Sequence, residues 1–252
     1  PYSNEAVYVR DIVSGIQPAS GGTYQLTWIE DLPMTAFSDA FSTDPSSRWT
    51  ALNAGMTWDS RGGYYYISGE AYSAYNTQLS GTDQYVKVKV SNSVSGGIVL
   101  RSTGTGTDGF YLIATSQSDG KAWITRVGGA SVSWLQDCVS STFAFADGDT
   151  VGVTITGTGT STTVRLWRNP TNNTPTQIDG WDSSSDTADC TLSLSGGAGA
   201  YYNTGQYVGI GFWSTNSRYD DFYGGDVPSA STSAVPKIMM NLNHFAGGGL
   251  LQ

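Results

Sequence analysis

Between Gln84 and Val127 the chain reads QYVKVKV at 84–90, GGIVLRS at 96–102, DGFYLIATS at 108–116 and KAWITRV at 121–127. Each run has the length of one strand, is rich in β-branched and aromatic residues, and is parted from the next by Gly, Asp, Ser and Asn. The block predicts an antiparallel meander. In the first run Val86, Val88 and Val90 alternate with Tyr85, Lys87 and Lys89, which puts the valines on a buried face and amphipathic side chains on a wetter one. Short turns at SVSGG (93–97) and QSDGK (117–121) predict hairpins and leave no room for the crossover helices of a parallel sheet.

The composition of the 252 residues agrees. With 32 Gly, 12% aromatic and only 13% charged residues, the chain lacks the Glu, Lys, Ala and Leu that cover exposed helix faces, so very little helix is expected. A net charge of −9 with 12 Lys and Arg argues against nucleic acid and against an anionic membrane surface. No apolar run is long enough to span a bilayer, and the opening PYSNEAVYVRD has neither a basic nor an apolar leader region. Cys138 and Cys190 sit at the edges of predicted strands, either as one disulfide or as a buried reduced pair.

Working outward, residues 1–36 read as an N-terminal arm, with Tyr24 to Ile29 its best strand, or as an added edge strand. The compact domain is placed at 37–226. It opens on FSDAFSTDPSSRW, with Phe37 and Phe41 as core anchors, Asp44-Pro45 as a turn and Trp49 starting a strand. MTWDSRGGYYYISG then gives two short strands about Gly62-Gly63. SVSWLQDCV, DGDTVGVTITGTG, TTVRLWRNP, CTLSLSG and QYVGIGFWS follow, with turn signals every ten to twelve residues or so, the spacing of a sandwich or barrel. Residues 227–252 hold a Ser/Thr-rich linker between Pro228 and Pro236, then a tail whose Ile238, Met239, Met240, Leu242, Phe245, Leu250 and Leu251 call for a surface to dock on.

The order FSDAF, GGIVLRS, GFYLIAT, DGDTVGVTITGT, VRLWRN and GQYVGIGFWS running into DDFYGGD resembles the concanavalin A-like, laminin G-like jelly roll over residues 37–226. The resemblance implies an all-β antiparallel sandwich in which the opening and closing strands pair. It also implies that Asp39, Asp220, Asp221 and Asp226 come close enough to offer a Ca²⁺ site, with the DGD at 147–149 as a second loop; the alternative is that each is a turn former bonding local N–H groups. Together with its arm and tail, the jelly roll resembles accessory proteins of bacteriophage particles, such as capsid decoration or tail-associated proteins.

Catalysis is not expected. Glycosidases of this fold need two carboxylates about 5 to 9 Å apart, placed on one strand as E-x-D-x-E or E-x-D-x-x-E. The only glutamates are Glu5, Glu30 and Glu70, and Asp220 and Asp221 are adjacent, which in a regular strand turns them to opposite faces. The one histidine, His244, lies in the apolar tail without a nucleophile elbow. Eight Trp and fifteen Tyr leave room for sugar stacking. Trp181 in the loop-like WDSSSD is expected to be exposed, and Trp181, Tyr201, Tyr202 and Trp134 are the candidate glycan-binding residues; otherwise such side chains fill the core.

Two functions follow. The first is a non-enzymatic surface protein of a larger particle, a virion above all, fixed to other subunits by arm and tail as a homo-oligomer or lattice and displaying a sandwich that binds glycans. The second is a free-standing extracellular lectin or carbohydrate-binding module.

Overall fold

The computed structural model describes residues 34–53, 57–59, 64–66, 71–92, 96–106, 108–116, 121–128, 131–137, 145–183, 185–194, 202–212 and 218–228, all within one compact unit, Pro33–Ala230. The expectations placed on the arm before Met34, on Glu5, Glu30, Glu70 and His244, and on the tail residues Ile238, Met239, Met240, Leu242, Phe245, Leu250 and Leu251 fall outside the described residues.

In chain order the strands are β1 (Ala36–Asp39), β2 (Trp49–Ala51), β3 (Thr57–Asp59), β4 (Tyr64–Tyr66), β5 (Ala71–Tyr75), β6 (Gln84–Asn92), β7 (Gly96–Ser102) and β8 (Asp108–Ser116). Then come β9 (Lys121–Gly128), β10 (Ser131–Asp137), β11 (Thr150–Thr156), β12 (Thr163–Arg168), β13 (Cys190–Ser193), β14 (Tyr207–Phe212) and β15 (Arg218–Asp226). One 3₁₀ turn, Gly159–Ser161, is the only helical element among the described residues. Eight strands form one sheet in the order β13-β12-β11-β6-β15-β4-β3, with β1 also on β15; seven form the other, β10-β9-β8-β7-β14-β5-β2. Every pairing is antiparallel. The chain steps from sheet to sheet at β1 to β2, β2 to β3, β4 to β5, β5 to β6, β6 to β7, β10 to β11, β13 to β14 and β14 to β15, which makes the two-sheet sandwich a jelly roll.

The opening and closing strands pair as the resemblance implied, Asp39 opposite Phe222 and Ala36 opposite Gly225. The 84–127 meander does not hold as one unit. β7, β8 and β9 are consecutive neighbours, but β6 bonds to β11 and β15 in the other sheet, so the SVSGG connection crosses the sandwich rather than closing a hairpin. Alternation along a strand fixes which face is apolar; it carries no information on which strand lies alongside.

Period-two patterning builds the core. Val86, Val88, Val90, Val151, Val153, Ile155, Val164 and Leu166 from one sheet meet Ile98, Leu100, Ile113, Ile124, Val208 and Ile210 from the other, all fully buried. Burying each such side chain contributes about 1.5–3 kcal/mol. Phe41 and Trp49 join them, and Phe37 packs against the cluster, stacked on Tyr75 at 4.2 Å.

The outward residues of β6 correct the expected wet face. Tyr85 and Lys87 are buried, while Lys89 remains partly open. A loop, described over residues 169–183 and 185–189, lies over them. Trp181 is 0% exposed, clustered with Tyr85, Trp167 and Val227, and its indole donates to the carbonyl of Asn172 at 2.8 Å. The Lys87 ammonium donates into the same loop, to the carbonyls of Thr171 (3.4 Å) and Asn172 (3.0 Å) and to Asn173 Oδ1 (3.3 Å). Burial pushes the Lys87 pKa down, against the pull of Asp182 and Asp221. Cys190, on edge strand β13, is disulfide-bonded, and the chain's one other cysteine, Cys138, directly follows β10, the edge of the opposite sheet.

Candidate functional site

At one end of the sandwich several loops are tied to a single buried cation. Tyr207 pairs with Ser102 and Gly209 with Val99, so β7 carries one residue more than β14 over this span and bulges. Arg101 sits in the bulge with φ 56, and its side chain is swept inward to 0% exposure. Its guanidinium donates to three carbonyls from three separate segments: Thr82 at 2.9 Å, Tyr202 at 3.3 Å and Gly157. Asp83 Oδ1 stands 3.6 Å away. Burial lowers the Arg101 pKa, opposed by the charge of Asp83 and by Tyr111. Beneath it the buried amide of Gln84 accepts from the Arg101 N–H at 2.7 Å and donates to the Gly205 carbonyl at 2.8 Å.

Three side chains are carried outward on this frame. Asp83 Oδ1 accepts from Gly157 N–H (2.9 Å) and Asn203 Oδ1 from Gly159 N–H (3.0 Å), so both grip the 157–161 turn. The Tyr202 N–H donates to the Tyr111 hydroxyl at 3.2 Å, and the two rings meet edge to face with centroids 5.4 Å apart. Tyr202 also lies on a bare floor: a Cβ at Gly109 would come within 2.8 Å of its ring, and one at Gly128 within 2.6 Å of its hydroxyl. Gly109 has φ +88, a second reason for glycine there.

What remains unclaimed defines the site's chemistry. Among the described residues, nothing bonds to the second carboxylate oxygen of Asp83, the amide N–H₂ of Asn203 or the hydroxyl of Tyr202. They amount to an anionic acceptor, a two-proton donor and a group that does both, beside a partly exposed aromatic ring. Such a set matches a compound that presents several hydroxyls and an apolar ring face.

Of the four candidate glycan residues, Tyr202 is placed here. Tyr201 lies outside the described residues, and Trp134 is on β10 with its side chain outside them. Trp181 is corrected: it is core, because the loop that carries it folds onto the outer face of β6 and β11, where Gly152 has no side chain to hold it off.

The proposed calcium ligands are corrected as well. Asp39 is spent on Arg48 (Nε 2.9 Å, Nη2 2.9 Å), on Trp49 Nε1 at 2.9 Å and on the Phe41 N–H at 2.9 Å. Asp226 takes the N–H groups of Thr35, Ser80 and Gly81 at 2.9, 3.1 and 3.0 Å. Asp220 and Asp221 both approach Lys89 Nζ, at 4.0 and 3.7 Å. They share a side because β15 bulges between Asp220 and Tyr223, with Asp221 at φ 47, which breaks the alternation that set them apart in a regular strand. Burial raises the Asp220 pKa against the hydrogen bond from the Asp221 N–H and the charge of Lys89, with the Asp221 charge adding to the rise. In the DGD loop, Asp149 accepts from Ala146 N–H, Asn169 and Arg168, as a turn former does. Among the described residues no group of three or more His, Cys, Asp or Glu could hold a metal ion.

Sequence reasoning missed Arg101, Asp83, Asn203 and Gln84. Arg101 was visible only as part of a fold motif, and nothing in GTDQ or YYNTG announces that the two segments meet.

No family model and no curated protein matches the chain. Among solved structures, it is similar to the carbohydrate-binding module CBM66 from Bacillus subtilis (11% identity, TM-score 0.44, 72% of this chain and 94% of that one). It is also similar to a Bacillus licheniformis β-glucanase (12%, 0.46, 77% and 98%) and to the VIP36 exoplasmic/lumenal domain in its Ca²⁺/Man3GlcNAc-bound form (13%, 0.43, 80% and 92%). Binding modules and an enzyme stand side by side in this set, and the jelly roll of this chain rests on its own strand pairing.

Proposed function

We propose that the protein is a non-catalytic carbohydrate-binding sandwich that holds a saccharide at the loop end around Tyr202, Asn203 and Asp83. The observation that carries the reading is that Asp83 and Asn203 grip one turn while each keeps an unclaimed polar group, and that Tyr202, next to Asn203, is tied to the same buried Arg101 through its carbonyl. Sugar hydroxyls both donate and accept, and the less polar face of a pyranose packs on a tyrosine ring. The disulfide at Cys190 fits an exported life, since oxidising compartments preserve such bonds. Hydrolysis is left out because Asp220 and Asp221, the carboxylates that the β15 bulge brings together, share Lys89 on the β6–β15 ladder, away from the loop end.

Purified protein printed against an array of neutral and acidic oligosaccharides tests the reading. Binding by the wild type, lost in Tyr202→Ala and Asn203→Ala and kept in Asp147→Ala, is the expected result. A folded wild-type protein that retains no saccharide overturns it.

A second reading, a surface module of a larger particle such as a virion, is favoured by the apolar residues between Ile238 and Leu251 after a Pro-flanked linker. Truncation after Pro236 should abolish assembly, seen by electron microscopy, and leave the sandwich folded. Assembly that survives truncation removes this reading.

A further inference from the structure

We infer that Arg101 is the positioning residue of the saccharide site, an inference that rests on the reading just given. Its backbone is in the left-handed region, where glycine is at ease and a long side chain is strained. Its guanidinium is fully buried, and a buried charge is costly unless it is bonded throughout. Stability alone would put glycine at this backbone position, or an aliphatic side chain into this volume. Arginine adds a planar fork that reaches several acceptors at fixed angles.

The three acceptors belong to the segments that carry the site. Thr82 precedes Asp83, Gly157 opens the turn gripped by Asp83 and Asn203, and Tyr202 precedes Asn203. One cation thus fixes the spacing of all three ligand-facing residues while touching none of their unclaimed atoms. Rigid support of this kind sets affinity, because a site left loose must be ordered by its ligand.

The test uses Arg101→Lys, which keeps the charge and removes the fork. The expected result is a protein with wild-type circular dichroism whose saccharide Kd is weaker by roughly tenfold. Amide exchange should quicken at Gly157, Gly159 and Tyr202, with protection at Val86 and Val88 retained. A folded Arg101→Lys that binds as tightly as wild type, or binds weakly with unchanged exchange at those amides, overturns the assignment. If Arg101→Lys does not fold, Arg101→Gly takes its place, because it frees the strained backbone; wild-type affinity in that variant is equally fatal. Failure here is distinct from failure of the saccharide reading. In the first case the wild type binds and Tyr202→Ala does not; in the second the wild type binds nothing.

Discussion

The ring of Trp181 stands at 87° to that of Tyr85, centroids 6.0 Å apart, on the side of the eight-stranded sheet that faces away from the core. With Trp167 tilted against Trp181 at 5.4 Å, these rings form a second, smaller apolar cluster beneath the 169–189 loop. A tryptophan in a stretch of Asp and Ser has the look of a ligand platform. Here it is the rivet that holds a polar loop to a sheet.

Trp181→Ala should therefore behave as a core truncation. A loss of about 3–5 kcal/mol is expected, read as a fall in the urea midpoint. Saccharide binding at the loop end should survive wherever the protein is still folded, and loss of binding in the folded fraction would place Trp181 in the site after all.

Thr154→Val should be neutral or stabilising by about 1 kcal/mol. The Thr154 hydroxyl is buried on the outer face of β11 without a hydrogen-bond partner among the described residues, so its removal relieves a desolvated group. The measurement is the denaturant midpoint at unchanged slope; a marked loss of stability would show that the hydroxyl has a partner.

Asp39→Asn should cost about 2 kcal/mol. The carboxylate is 2% exposed and binds the Arg48 guanidinium through both oxygens, while Trp49 Nε1 and the Phe41 N–H converge on it. Arg48 is a third exposed, which keeps the cost below that of a fully buried pair. Thermal unfolding of the variant reads this directly.

Acid should loosen the 169–189 loop. Burial works to raise the Asp182 pKa, but the N–H groups of Asn172 and Thr171 and the charge of Lys87 outweigh it, and the net shift is downward from 3.8. A depressed folded pKa contributes stability that is complete above the unfolded value, near 3.9, and is lost as pH falls through the lower folded value. Asp149 is lowered in the same sense, its burial outweighed by Ala146, Asn169 and Arg168. Asp182→Asn should flatten the fall in stability below about pH 4. A variant with the wild-type acid profile would show that Asp182 is not part of it.

Reduction of the Cys190 disulfide should lower stability by about 2–4 kcal/mol. The reason is placement, since β13 and β10 are the edge strands of the two sheets. Melting with and without a reductant checks this, and equal midpoints would refute it.

The strands themselves were legible in the residues. Val86, Val88 and Val90 announced a buried face, Asp44-Pro45 its turn, and the near absence of helix followed from composition. Phe41 is a core residue and Trp49 starts a strand, as read, and the DFYGGD strand does pair with FSD. Of the site, only Tyr202 was visible in advance, and for its ring rather than its place.

Which strand neighbours which, which face a loop covers and where a strand bulges were settled only in three dimensions. Local order depends on side-chain alternation and turn chemistry a few residues apart, so adjacent positions encode it. The clamp of Arg101 joins positions 82, 157 and 202, and the bulge that turns Asp220 and Asp221 toward one lysine depends on β6 lying beside β15. Such relations arise when distant segments share one core, and neither partner alone carries a mark of the other.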